Sequence, residues 1–101
     1  MSNEQATIEQ KFDPGRILSS KAILMRIEED CDFKTFVDNS IERHLCGDWG
    51  NISDQDKKKN NNALELNNLQ IISCYKNMND KIYIITEWDR SSTLVLFGFE
   101  Y

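Results

Sequence analysis

His44, Cys46 and Asp48 lie within five residues of one another, and their types suit nucleophilic catalysis: a thiol to attack, an imidazole to take its proton, a carboxylate to orient the ring. The spacing argues against that use. Side chains two apart on a helix point away from each other, and a cysteine–histidine pair ordinarily comes from separate elements whose packing sets its geometry. Cys31, His44, Cys46 and Cys74 would suffice for a zinc ion in number, but no CxxC or CxxH spacing supports it, so no metal and no cofactor is expected. Asp48 with Glu87 or Asp89 could do acid–base or Mg²⁺ chemistry if the loop at residues 47–50 folds over one end of a sheet. Ion pairs to Arg43 or Arg90 account for the same carboxylates. Gly47-Asp48-Trp49-Gly50 describes a tight turn that plants an indole in the core or presents it beside Trp88 as an aromatic anchor for a partner. The residues expected to form a binding surface are therefore His44, Asp48, Trp49, Glu87, Trp88, Asp89 and Arg90.

The elements that must position these groups read as α+β. Three apolar runs, Leu69–Lys76, Lys81–Trp88 and Thr93–Phe97, are rich in β-branched and aromatic residues and separated by the short polar breaks NMND and DRSS. They predict a three-stranded antiparallel meander, with Arg16-Ile17-Leu18 short enough to add at most a brief fourth strand. Alternation in the second run puts Ile82, Ile84, Thr86 and Trp88 on one face and Tyr83, Ile85 and Glu87 on the other. Upstream, two to three helices are expected to cover the sheet. Ser19 or Ser20 caps the first, which carries Ala22, Ile23, Met25, Arg26 and Ile27 over about two turns. Asp30 or Asp32 caps the second, over about residues 32–45, whose apolar face is Phe33, Phe36, Val37, Ile41 and Leu45. His44 then falls in its last turn, where a partial positive charge would complement the macrodipole, before Gly47 ends it. Ser53 opens a third helix running to about Leu66, polar through Lys57–Asn62, with contact offered only by Ala63, Leu64 and Leu66; Asn67-Asn68 supplies a left-handed stop. Residues 1–12 read as a flexible terminus before a single domain over 13–101, entered through the turn Asp13-Pro14-Gly15.

The 101 residues, 40% of them hydrophobic, are enough for one core without staples. Three cysteines in no framework suit a reducing cytoplasmic compartment, and no stretch approaches the roughly 20 apolar residues of a membrane helix. The net charge of −5 is concentrated in residues 1–50, where ten acidic side chains outnumber six basic ones. Its densest run is Glu28, Glu29, Asp30 and Asp32. Such a balance disfavours direct nucleic-acid binding, for which Lys57, Lys58 and Lys59 are too small a basic area, and suits a basic protein partner instead.

The motif residues also carry a likeness. His44-x-x-Gly47-Asp48-Trp49-Gly50, then Asp56-Lys57 and Asn61, then Ile71-Ile72-Ser73-x-Tyr75, the run KIYIITEWDRS over 81–91, Thr93-Leu94-Val95-Leu96 and the ending Glu100-Tyr101 resemble small proteins encoded on bacterial plasmids and integrative elements. These are usually called plasmid-related, and some are labelled a type I restriction–modification subunit. The resemblance covers about residues 13–101. Its relatives end in Leu-Leu-Pro-x-Glu-Tyr, so Gly98 stands here at the proline position. It implies a mobile-element accessory protein and no catalytic residues to carry over. The expectation is a non-enzymatic binding protein acting on a host or element-encoded partner, an inhibitor of a restriction- or CRISPR-type defence protein being its most specific form. The competing expectation is a small enzyme or ligand-binding domain with His44, Asp48, Glu87, Asp89 and Arg90 in one pocket.

Overall fold

The computed structural model describes residues 10–67 and 69–101. In chain order it contains β1 (Arg16–Ser19), α1 (Lys21–Glu29), α2 (Cys31–Leu45), α3 (Asp54–Leu66), β2 (Ile71–Lys76), β3 (Lys81–Thr86), β4 (Ser92–Phe97) and a 3₁₀ turn, Gly98–Glu100. The fold is α+β. The helix boundaries follow from their caps. Ser20 accepts the amide of Ile23 to start α1, and Asp30 both ends α1 and accepts the amides of Asp32 and Phe33 to start α2, leaving no linker between them. Ser53 accepts the amide of Asp56 to start α3, and Asn67, left-handed at φ 54°, ends it.

The sheet order is β1-β4-β3-β2, with β2, β3 and β4 antiparallel. The expected all-antiparallel sheet is corrected at β1, which pairs parallel with β4, Arg16 facing Ser92 and Ser19 facing Val95. A parallel pair needs a long crossover, and here three helices and two strands supply it. The meander strands are also trimmed relative to the apolar runs. β2 starts at Ile71, and β3 stops at Thr86, because the amide of Glu87 bonds Ser92 and the carbonyl of Glu87 then receives Arg90 N–H to close a turn. Trp88 consequently does not continue the Ile82–Ile84–Thr86 face; it sits in the hairpin turn.

One face of the sheet carries the core. Ile82, Ile84, Tyr75, Val95 and Phe97 pack against Ile23 of α1 and Phe33 and Val37 of α2. A second cluster joins Trp49, Ala63 of α3 and Ile71. Two expectations change here. Lys11 and Phe12 are docked rather than loose, Lys11 N–H bonding Leu45 C=O and Phe12 packing against the second cluster; the rest of the expected flexible terminus, residues 1–9, lies outside the described residues. And α3, held as expected by Ala63 and Leu64 in the second cluster, is held by its polar stretch as well. Asn60, buried, donates to Ile72 C=O at 2.9 Å and accepts its N–H at 3.2 Å, so that a side-chain amide continues the ladder of β2, while Leu66 is exposed.

Candidate functional site

His44 lies at the centre of the candidate residues. The apolar spacing of α2 turns it toward the sheet, where Nδ1 is 2.6 Å from Ser73 Oγ and Nε2 is 2.9 Å from Thr86 Oγ1, with neither His44 nor Ser73 exposed. The proton positions follow from the far end of this chain. Thr93 donates its only hydroxyl proton to Pro14 C=O at 2.7 Å, so the Thr86–Thr93 contact, also 2.7 Å, must be donated by Thr86. Thr86 then accepts from His44 Nε2–H, and the bare Nδ1 accepts from Ser73. The imidazole is neutral. Burial pushes its pKa down to about 3, so the expected charge on the helix dipole is absent and His44 serves to satisfy polar groups between α2 and the sheet. Phe12 and Trp49 meet its ring edge-on, at 5.3 and 5.9 Å between centroids, and close the remaining approaches. Ser73 and His44 thus have the contact of a hydroxyl nucleophile and its base, sealed from any substrate.

The turn after α2 is built for the sheet edge. Gly47 (φ +85°) and Gly50 (φ +74°) both occupy the left-handed region, and a Cβ on Gly50 would run into the carbonyl of Cys74. Between them Asp48 is clamped by Arg43, Nε to Oδ2 at 2.7 Å and Nη2 to Oδ1 at 3.2 Å, which holds its carboxyl below the usual range. Its carbonyl accepts Tyr75 O–H at 2.7 Å. The strand-like segment that follows bonds β2 directly, Cys74 N–H to Trp49 C=O and Asn51 N–H to Cys74 C=O. Trp49 is only 3% exposed and donates Nε1–H to Asn61 at 3.0 Å, so it is a core residue and the surface pairing with Trp88 is not formed.

The carboxylate set does not assemble either. Asp48 is fastened at Tyr75, four residues along β2 from Ile71, which faces Thr86 across the ladder. At about 3.3 Å per residue, Asp48 is on the order of 13 Å from the turn holding Glu87 and Asp89. Asp89 accepts the amide of Ser91 at 3.0 Å as a turn residue. Arg90, left-handed at φ 61°, donates to carbonyls instead of carboxylates: Nη1 to Leu69 at 2.7 Å, to Glu87 at 3.1 Å and to Trp88 at 3.2 Å, and Nη2 to Ala63 at 2.9 Å. It ties the end of α3, the start of β2 and the hairpin into one corner, and burial lowers its pKa. That corner presents Trp88, 60% exposed, with Leu66 and Leu69 also exposed. The acidic residues Glu28, Glu29, Asp30 and Asp32 cluster where α1 meets α2, and there Asp30 is taken up as a cap.

The clearest feature missing from the sequence reading is the Ser73–His44–Thr86–Thr93 chain, whose signal was polar residues placed at inward positions of strands. The roles of Asn60 and Asn61 are not legible either, since their polarity reads as surface and the likeness that includes Asn61 assigns it none. Among the described residues, no three His, Cys, Asp or Glu side chains gather closely enough to hold a metal ion, and no helix is long and apolar enough to cross a membrane. Comparison with protein-family models, with curated proteins and with solved structures found no match.

Proposed function

We propose that this chain is a non-enzymatic binding protein of a mobile genetic element, acting in the cytoplasm on a host or element-encoded protein, with inhibition of a host defence protein as its most specific form. The observation that carries the binding role is the corner built by Arg90. Its guanidinium is engaged by four backbone carbonyls, which fixes an exposed tryptophan next to Leu69 and the end of α3. An exposed Trp on a fixed backbone beside aliphatic neighbours is the composition of a binding anchor. Glu87 and Asp89 flank it in sequence, Glu65 precedes Leu66 at the end of α3, and Glu29 and Asp32 add exposed charge elsewhere. The partner this chemistry fits carries an apolar cleft rimmed by Lys or Arg, as a nucleic-acid-handling protein does. Three unbridged cysteines agree with a reducing compartment, and the mobile-element context rests on the likeness of the GDWG and ITEWDRS stretches.

The test is affinity capture from host lysate with wild type and Trp88→Ala, followed by association and dissociation kinetics on the captured protein. The expected result is one partner, a faster dissociation worth about 2 kcal/mol or more for Trp88→Ala, and a slower association for Glu29→Lys combined with Asp32→Lys. Equal capture by Trp88→Ala, or turnover of a small molecule with no protein partner, would overturn the proposal.

A further inference from the structure

The two edges of the sheet are finished differently. β2 is closed by the Trp49–Asn51 segment and by the Asn60 amide. β1 is open. Arg16 N–H and Ser20 N–H donate to Ser91 and Val95 of the β4 side, so by alternation the backbone groups of Ile17 and Ser19 point outward, and no described strand pairs with them. Ile17 and Leu18 are half exposed. Proteins blunt such edges by shortness, charge, proline or a bulge; β1 is short and opens with Arg16, and the outward backbone groups of Ile17 and Ser19 remain a template for one short strand.

α1 leaves β1 through Ser20 and buries Ile23 against Val95 and Phe97, which places it over the same side of the sheet. Its solvent face is Lys21, Leu24, Met25 and Glu28, all exposed. Among the described residues neither Lys21 nor Glu28 has an ion-pair partner. This face is complementary to its own reverse: turned end to end, Lys21 falls opposite Glu28, and Leu24 opposite Met25. In parallel alignment the same residues would set lysine on lysine and glutamate on glutamate.

We propose that the β1–α1 side is a homodimer interface, a second copy adding its β1 antiparallel to this one so that the sheets become continuous, with the two α1 helices antiparallel on one face. The contact is isologous, and each pair occurs twice. Charge complementarity selects a second copy over an unrelated strand.

Sedimentation of the full chain across low to several hundred micromolar tests it, independently of any Trp88 partner. The expected mass rises toward twice the 11.8 kDa of one chain. Lys21→Glu should weaken association about tenfold or more by setting glutamate against glutamate, and Lys21→Glu with Glu28→Lys should restore it. Both changes place favourable charge at the poles of α1, so the variants stay folded, which their urea midpoints verify. A single-chain mass at every concentration, or association indifferent to Lys21→Glu, or failure of the double variant to recover, each overturns the interface.

Discussion

His44 Nδ1 and Ser73 Oγ are 2.6 Å apart, and both side chains are fully enclosed. A neutral imidazole is thereby built into the folded state. Its folded pKa of about 3 lies below the ordinary 6.5, so the unfolded chain binds a proton more readily, and the stability that depends on His44 is complete above pH 6.5 and is lost as the pH falls toward 3. Between pH 7 and pH 5 this one group should cost about 2 kcal/mol. Urea titrations at pH 7, 6 and 5 check it; a midpoint that does not fall over this range would show that His44 is charged in the fold.

Ile84 lies at the middle of β3, fully buried under the helices. Ile84→Ala should lower stability by roughly 2–4 kcal/mol, read from the urea midpoint.

The tryptophans should behave oppositely. Trp49→Ala removes a buried indole and should cost about 3–5 kcal/mol. Trp88→Ala, at an exposed turn, should stay within about 0.5 kcal/mol of wild type by the same titration, which separates its effect on binding from any effect on folding.

Asn60→Leu should detach α3 locally. It removes both bonds to Ile72 and leaves the backbone groups of β2 without partners, at about 1–3 kcal/mol each. Hydrogen exchange at the Ile72 amide should accelerate, while the β3–β4 amides keep their protection.

Much of the fold was legible because caps and alternation act locally: Ser20, Asp30, Ser53 and Asn67 mark helix ends by their own side-chain and backbone chemistry, and the runs at Ile71, Lys81 and Thr93 announce strands. What was not legible depends on partners distant in sequence. Nothing near Arg16 says that it will lie parallel to Ser92. Trp88 reads as a strand residue until the Glu87–Ser92 bond ends the strand. His44 in a last helical turn reads as a charged cap until Thr86 and Ser73 arrive from the sheet, and Asn60 reads as solvated until the bare edge of β2 is set beside it.

The pairing of Arg16 with Ser92 joins residues 76 apart. Because synthesis runs from the N-terminus, β1 leaves the ribosome long before β4 exists, and until then it has nothing in the sheet to pair with. The last strand made is the one that completes the sheet. Closing this pair encloses most of the chain in a single loop, and with the Pro14–Thr93 and Ser20–Glu100 bonds it is among the contacts of highest order in the fold and the natural late step in folding.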